Sequence, residues 1–346
     1  MKLSFRWYGL DDPVTLEKIR QIPGMKGIIT AIYDVPIGEI WPMDKIIALK
    51  KEVEKHNLEL IAIESVPVHE DIKLGLSTRD KYIKNYKETI KNLGKAGIGI
   101  VTYNFMPVFD WTRSSIDNKM EDGSINLIYE HKKVLEMDPV KGELDLPGWA
   151  TNYEQKQLKE LLQKYEDLSE EGLWRNLEYF LKSVVPVAEK SDVKLAIHPD
   201  DPPWSIFGLP RIVTNKQNLK RLVNIIDSPS NGLAICTGSL GSDPNNNMSE
   251  IIEYFSKKDR LNFLHFRNVK HDKNKNFYEV AHLSSEGSLD MYSILKSAVD
   301  GGFDGPIRPD HGRMIWGEEG RAGYGLFDRA LGATYINGLL EAIFKN

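Results

Sequence analysis

Eight short runs of apolar, β-type residues alternate with helix-like segments along almost the whole chain, and this alternation restricts the fold more than any other feature. The runs lie at residues 3–9, 27–33, 58–65, 98–105, 193–199, 231–238, 261–268 and 305–311. Strands that alternate with helices form right-handed β–α–β units and a parallel sheet. Eight such units suit a closed (β/α)8 barrel, which typically takes about 250 residues. We therefore predict an α/β protein with a TIM-barrel fold.

Helical periodicity fills the intervals between the runs. The apolar positions of segment 173–190 recur at the three- and four-residue spacing of a buried helix face, at Leu173, Leu177, Phe180, Leu181 and Val184. An open, doubly wound sheet is the alternative architecture. No strand is followed by the G-x-G-x-x-G turn that such sheets use for dinucleotides, so the closed barrel is favoured.

Two intervals break this rhythm. Residues 107–169 contain no convincing strand and are rich in charge, with one amphipathic helix whose apolar positions are Leu158, Leu161, Leu162 and Tyr165. We predict a mostly helical insertion after the fourth strand, lying over the C-terminal mouth of a single barrel domain that spans residues 1–346. A shorter insertion, residues 270–288, follows the seventh strand. Long loops at this face usually serve the active site.

Composition and charge argue against several classes of partner. The 45 Lys and Arg against 50 Asp and Glu give a formal net charge of −5, so general attraction to nucleic acid or to anionic lipid is not expected. No apolar run approaches the ~20 residues of a membrane span, and the first residues lack the apolar region of a secretory signal. We expect a cytoplasmic protein that acts on a small molecule. A homo-oligomer is compatible with the sequence.

Four of the predicted strands end in a residue that can bind a metal. These residues are His198, Cys236, His265 and Asp310. Each alone is more often an ordinary buried residue, but the C-terminal ends of barrel strands converge on one mouth, where the four could meet at a single ion. Two imidazoles, a thiolate and a carboxylate suit a divalent transition metal better than Mg²⁺ or Ca²⁺. The choice among Zn²⁺, Fe²⁺, Mn²⁺, Co²⁺ and Ni²⁺ stays open.

The densest polar stretch, residues 307–325, surrounds the fourth of these donors. His311 is adjacent to Asp310 and is a candidate general acid or base. Tyr324, on a glycine-flanked loop, is a second candidate, although an ordinary loop tyrosine is the alternative. Arginines such as Arg308 are suited to binding a carboxylate by paired hydrogen bonds.

Four further residues near strand ends are candidates for binding sugar hydroxyls. Arg6 and Trp7 belong to the first predicted strand, Glu64 to the third and Asn104 to the fourth. For each of them, a structural role in the core is equally compatible with the sequence.

Several long motifs resemble the mannonate dehydratase family, and the resemblance runs over nearly the whole chain. They include MKLSFRWYG, ESVPVHEDIKLG, YNFMPVFDWTR, AIHPDDPPWSIFGLPRIV, CTGSLG, HFRNVK and IRPDHGRMIWGE. The family resembles the xylose-isomerase-like metal barrels in fold. The resemblance implies a hydro-lyase that dehydrates D-mannonate to 2-dehydro-3-deoxy-D-gluconate in hexuronate catabolism, with Mn²⁺ or Fe²⁺ as the metal.

The resemblance also assigns roles to residues of this chain. It implies that the metal ligands are His198, Cys236, His265 and Asp310, and that the catalytic loop carries His311 and Tyr324. Which residue moves which proton is not settled by it. Our hypothesis is that Tyr324 takes the C2 proton and that His311 or Asp310 assists the loss of the C3 hydroxyl.

Three other functions remain as alternatives. A metal-dependent sugar isomerase would use the same barrel, but the arginine-rich last loop argues against a substrate without a carboxylate. A phosphodiesterase acting on damaged DNA would be expected to have a basic surface, which the net charge disfavours. A non-catalytic sugar-acid sensor would keep the binding groups and could lack the acid/base loop.

Overall fold

The computed structural model describes residues 1–141 and 154–345. In chain order, its strands are β1 (Lys2–Arg6), β2 (Gly27–Thr30), β3 (Glu59–Glu64), β4 (Ile100–Tyr103), β5 (Ser115–Lys119), β6 (Ile125–Tyr129), β7 (Lys194–Ile197), β8 (Asn231–Cys236), β9 (Leu261–Phe266), β10 (Val269–His271), β11 (Phe277–Glu279) and β12 (Pro306–Pro309). Its helices are α1 (Leu16–Arg20), α2 (Met43–Glu54), α3 (Glu70–Leu74), α4 (Arg79–Lys95), α5 (His131–Glu136), α6 (Gln155–Tyr165), α7 (Glu170–Lys190), α8 (Lys216–Val223), α9 (Thr237–Gly241), α10 (Met248–Lys257), α11 (Met291–Asp300) and α12 (Phe327–Lys345).

Eight of these strands close into a barrel in the order β1-β12-β9-β8-β7-β4-β3-β2. Every neighbouring pair in the barrel is parallel. Each of the eight apolar runs recognised in the sequence supplies one barrel strand, and helices connect them. The prediction of a (β/α)8 TIM barrel is therefore confirmed.

The long insertion contains two strands, so the prediction of a segment without strands is wrong. Strands β5 and β6 pair within it, and β6 also pairs with β11, so that the two insertions share an antiparallel sheet in the order β10-β11-β6-β5. The sequence of β5, SIDNK, is polar and none of its residues is fully buried. Its neighbour β6 gains its second partner from the other insertion, a long-range pairing that leaves no local signal. Residues 142–153 of the predicted insertion lie outside the described residues.

The amphipathic helix expected in this insertion is present as α6. Three of its residues are buried, namely Leu158, Leu161 and Tyr165, and they pack with Val108 and Phe109 in a small apolar cluster of their own. The Tyr165 hydroxyl donates to Glu70 Oε2 on α3 at 2.5 Å. These contacts attach the insertion to the loops that follow the barrel strands.

The interior of the barrel is filled by a small cluster of inward-facing side chains. It consists of Ile29, Ala62, Ala196, Ala234 and Phe263, all fully buried. Side chains two positions apart on a strand point to the same face. The residues that follow this layer on β7, β8 and β9 therefore also point to the barrel axis, at the C-terminal end of the strands.

Outside the barrel, helix α7 shows how the sequence builds the surrounding layer. The Ser169 hydroxyl caps its first turn by accepting from the Gly172 N–H. The aromatic ring of Phe180 contacts those of Tyr86, Tyr103 and Phe105, between the helix layer and strand β4. Among the described helices, none combines the length and the apolar character needed to span a bilayer.

Candidate metal centre and active-site cavity

A cavity of about 340 Å³ lies at the C-terminal end of the barrel strands. Its walls come from the ends of β1, β2, β3, β4, β7 and β12, together with the long insertion and the loop after β12. The lining residues are Arg6, Tyr8, Tyr33, Glu64, Ser65, Thr102, Tyr103, Asn104, Asp110, Trp111, His198, Asp201, Arg308, Asp310, His311, Arg321 and Tyr324. Most of the residues singled out in the sequence therefore surround one space.

Three of the predicted metal ligands lie close together, and one of them, His198, lines this cavity. One ligand atom each of His198, Cys236 and His265 lies within 4.8 Å of the other two. The register of the barrel strands brings two of these ligands together, because Cys236 on β8 is the direct neighbour of His265 on β9. His198 Nδ1 donates to the Pro199 carbonyl oxygen at 2.7 Å, which leaves Nε2 available as a ligand atom.

The fourth predicted ligand, Asp310, lies beside this group. Its Oδ2 is 3.3 Å from Cys236 Sγ and 3.9 Å from His265 Nδ1. Arg267 Nε donates to the same oxygen at 3.1 Å, and Arg308 Nη1 is 2.6 Å from Oδ1. Burial raises the pKa of Asp310, but Arg308 and His311 outweigh it and hold the pKa well below its usual range. The residue is therefore a carboxylate.

The donor set fits a transition metal. Two of its buried atoms have ionic neighbours but no hydrogen bond of good geometry: His265 Nε2 is 3.2 Å from Glu64 Oε2, and Asp310 Oδ1 is 2.6 Å from Arg308 Nη1. Cys236 Sγ accepts from the Ser239 N–H at 3.4 Å and from Arg267 Nε at 3.3 Å. Buried polar atoms normally have partners, and imidazole, thiolate and carboxylate groups together are typical ligands of divalent transition ions.

The two acid/base candidates line the same cavity as His198 and Asp310. His311 is buried, and its ring is 5.4 Å from that of Tyr324 between centroids. Its Nδ1 contacts Glu279 Oε1 at 3.3 Å. Burial and the neighbouring Tyr8 raise the pKa of Tyr324 well above its ordinary value, so the phenol is protonated in this state.

A buried arginine on α12 holds the backbone of the tyrosine loop. Arg329 donates to the carbonyl oxygens of Tyr324, of Gly325 at 2.7 Å and of Arg6 at 3.0 Å. Gly323 allows the approach, because its φ of +77° lies in the left-handed region and a Cβ there would be 2.8 Å from Leu127 Cδ1.

Four of the five predicted substrate-binding residues line the cavity, and Trp7 does not. Arg308 and Glu64 form a paired contact, with Nε–Oε2 at 3.1 Å and Nη2–Oε1 at 2.8 Å. Arg6 lines the cavity with Nε and Nη1 unpartnered, and Asn104 lines it as well. Trp7 is not brought to the cavity. It is buried in the hydrophobic core, the alternative that the sequence left open.

Beneath the cavity lies an ion-pair network that sequence reasoning missed. Arg267 donates to Glu279 at 2.8 and 2.7 Å and to Asp201 Oδ2 at 2.7 Å. Arg113, from the long insertion, donates to Asp201 Oδ1 at 2.7 Å and to Glu279 Oε1 at 2.8 Å. All four side chains are buried. Their partners are distant in sequence, so the only signal was that Arg113, Asp201 and Arg267 stand in the motifs FDWTR, HPDD and HFRN.

Sequence reasoning also missed several residues of the cavity wall. Tyr8, Tyr33, Asp110 and Trp111 all line it, whereas Arg321, which lines it too, belongs to the arginines of residues 307–325 that the sequence indicated. Burial raises the pKa of Asp110. The Trp111 ring stacks on that of His311, with centroids 5.2 Å apart and an interplanar angle of 21°. Asp110 and Trp111 lie in the insertion, where no periodic pattern distinguishes one polar or aromatic residue from another.

A second cavity, of about 760 Å³, adjoins the first and shares Tyr33, Asn104 and Asp110 with it. Its other walls are the loops after β2, β3 and β4 and one side of α6. None of the four predicted metal ligands is among its described lining residues. The smaller cavity is therefore the candidate active site, although the larger one has more room.

The ion-pair network predicts a specific dependence of stability on pH. Burial raises the pKa of Glu279, but Arg267 and His311 outweigh it and lower the pKa from 4.5 to about 2. Because the folded pKa is below the unfolded one, this contribution to stability is complete above pH 4.5 and is lost as the pH falls toward 2. Glu279→Gln should lower the free energy of unfolding at pH 7 by about 3–5 kcal/mol, the usual loss on breaking a buried pair.

Urea unfolding of Glu279→Gln and wild type, at pH 7 and at lower pH values, measures both effects. The variant should show a shallower fall in stability below pH 4.5 than wild type. Glu286→Gln, at an exposed position of the same insertion, is the matched control and should be nearly neutral. An unchanged free energy of unfolding in Glu279→Gln would show that the network contributes little.

Comparisons with known proteins agree with this geometry. The chain matches the D-mannonate dehydratase (UxuA) family over residues 1–346. It is 58% identical over 343 residues to mannonate dehydratase 2 of Halalkalibacterium halodurans, with 99% of each chain covered. The crystal structure of mannonate dehydratase from Streptococcus suis serotype 2 superimposes with a TM-score of 0.94 at 51% identity, covering 100% of this chain and 95% of that one.

A more distant structure shows how general the fold is. A xylose isomerase-like TIM barrel protein from Mycobacterium smegmatis has a TM-score of 0.58 at 14% identity, covering 95% of this chain and 88% of that one. This likeness concerns the fold alone. The family match and the close relatives confirm the resemblance found in the sequence: the chain belongs to the D-mannonate dehydratase family, a family of hydro-lyases.

Proposed function

We propose that the protein dehydrates D-mannonate to 2-dehydro-3-deoxy-D-gluconate in the cavity at the C-terminal end of the barrel. One observation carries the proposal. The ligand atoms of His198, Cys236 and His265 lie within 4.8 Å of one another, and His198 lines the same cavity as the acid/base candidates His311 and Tyr324. The reaction belongs to hexuronate catabolism and takes place in the cytoplasm.

The metal would be held by His198, Cys236 and His265, with Asp310 as the fourth ligand, and would be Mn²⁺ or Fe²⁺. The mixed donor set and the mutual distances of the three ligand atoms support this assignment. A divalent ion there would offset the negative charge that develops beside the substrate carboxylate when the C2 proton leaves.

Other polar side chains of the cavity would bind and orient the substrate. Arg6, which carries unpartnered N–H groups, and Asn104 would bind the substrate's oxygen atoms. Glu64 holds Arg308 by two hydrogen bonds, so that the guanidinium keeps a fixed orientation toward the cavity. Arginine is suited to this task because its planar fork presents several donors at once.

Tyr324 would take the proton from C2, and His311 would assist the departure of the C3 hydroxyl, because Asp310 is already a carboxylate and has no proton to donate. The raised pKa of Tyr324 places a condition on this assignment. Burial, Tyr8 and Asp310 raise that pKa, whereas the positive charge of Arg308 lowers it. The phenol can act as a base only if positive charge in the loaded site stabilises the phenolate; without it, the same hydroxyl would serve as the acid.

Turnover assays test the proposed reaction. The metal-loaded protein should convert D-mannonate to a 2-keto acid, whereas D-mannose and D-fructose should remain unchanged because they lack the carboxylate. Removal of the metal should abolish turnover, and Mn²⁺ or Fe²⁺ should restore it. Comparable rates on the neutral sugars would favour an isomerase instead.

Substitution of the single cysteine tests the proposed ligand set. Cys236→Ser removes the sulfur but keeps a side chain of similar shape, so the barrel should fold while the affinity for the ion falls at least about tenfold. Metal analysis after gel filtration measures the effect. Ser242→Ala, which removes a buried hydroxyl bonded to the Ser239 carbonyl oxygen, is the control and should retain the metal. Full metal content in folded Cys236→Ser would remove this residue from the ligands.

Removal of the Tyr324 hydroxyl tests the acid/base loop. Proton transfer by a positioned side chain typically contributes about 10²–10⁴-fold in rate. Tyr324→Phe should therefore lower kcat by about that factor with little change in KM, because the hydroxyl acts mainly in the transition state. Steady-state kinetics of metal-loaded enzyme measure both constants. Tyr33→Phe, which changes another tyrosine of the cavity wall, should stay within a few-fold of wild type. If Tyr324→Phe does so too, His311 becomes the leading candidate for the base.

A further inference from the structure

The polar contacts of His311 lie at its two ring nitrogens and do not fix the tilt of the ring. Its Nδ1 is 3.3 Å from Glu279 Oε1, and its Nε2 is 4.0 Å from Asp310 Oδ2. The ring therefore needs another constraint if it is to keep one orientation toward the substrate. The near-parallel stack with Trp111, at 5.2 Å and 21°, is the contact of suitable geometry.

Trp111 itself is held firmly, although it belongs to an insertion. Arg211 Nη2 donates to the carbonyl oxygens of Phe109 at 2.8 Å and of Asp110 at 3.2 Å. On the other side, the Thr112 N–H donates to the Asp201 carbonyl oxygen at 3.2 Å. The backbone on both sides of the indole is thus attached to the protein interior.

The indole is also fixed through its neighbour Arg113. The guanidinium of Arg113 lies 5.4 Å from the Trp111 ring and is itself bound to Asp201 and Glu279. Trp111 is half-buried and lines the cavity. It can therefore hold His311 and face the substrate space at the same time.

We infer that Trp111 is a positioning residue, which holds the His311 imidazole in the orientation needed to assist the departure of the C3 hydroxyl. This inference rests on the proposed dehydration for its chemical step. Its structural part, the restraint of His311 by the indole, is independent of the reaction. If the indole is removed, the contact with Glu279 still holds Nδ1 at one edge of the ring but does not support its face.

Kinetics of Trp111→Ala test the chemical step. A small displacement of a reacting group can cost about 10²-fold in rate, so kcat for D-mannonate should fall by about tenfold to a hundredfold while KM stays within about threefold. Trp111→Phe retains an aromatic face and should recover most of kcat. Trp204→Ala is the matched control, because Trp204 is also half-buried but contacts Tyr129 and Phe277 rather than His311. It should remain close to wild type.

Proton exchange shows which step has slowed. When the reaction is run in D₂O, D-mannonate recovered from Trp111→Ala should contain more deuterium at C2, per product formed, than that recovered from wild type. The reason is that C2 deprotonation continues while loss of the hydroxyl is impaired. An increase in KM at unchanged kcat, or equal rates in Trp111→Ala and wild type, would overturn the positioning role.

Chemical modification tests the restraint without turnover. Acylation of His311 by diethyl pyrocarbonate, followed by mass spectrometry of its peptide in metal-loaded protein, should be several-fold faster in Trp111→Ala than in wild type and in Trp204→Ala. Unchanged acylation of His311 would overturn the inference even if D-mannonate is the substrate. Absence of D-mannonate turnover by wild type, combined with faster acylation in the variant, would instead reject the proposed reaction and retain the restraint.

Discussion

The candidate metal centre depends on how the barrel closes around its axis. Ala196, Ala234 and Phe263 fill the interior of β7, β8 and β9, and the three donors stand two positions further along the same strands. Because side chains two apart point to the same face, the donors must also face the axis. The alanines leave space below His198 and Cys236, whereas the Phe263 ring supports His265 edge-on, with centroids 4.5 Å apart. The site is therefore a consequence of strand register.

Buried ion pairs around the donors connect the long insertion to the candidate metal centre. Arg267 is shared among Cys236, Asp310, Asp201 and Glu279, and the last two also bind Arg113 of the insertion. A buried guanidinium is tolerated when carboxylates surround it, but removal of any partner leaves an uncompensated charge. The insertion therefore cannot shift relative to the barrel without breaking ion pairs next to the candidate ligands.

The sequence predicted those parts of the protein whose signals are local. Each barrel strand is an apolar run, and His198, Cys236, His265 and Asp310 could be recognised because each comes at the end of such a run. The antiparallel sheet of the insertions could not be recognised, since β5 is polar and β6 finds its second partner in the other insertion. The ion-pair network and Trp111 were missed for the same reason: their roles depend on contacts between distant segments.

Two buried arginines, Arg211 and Arg329, fix the backbone of two loops that line the cavity. Arg211 donates to the carbonyl oxygens of the residues before Trp111, and Arg329 donates to those of Tyr324 and Gly325. A guanidinium can do this because its five N–H donors lie in one plane and reach several carbonyl oxygens at once. Loops usually move more than the strands they connect. Here the segments that carry Trp111 and Tyr324 to the cavity are fixed by backbone hydrogen bonds to buried arginines, so their side chains can face the cavity with a defined geometry.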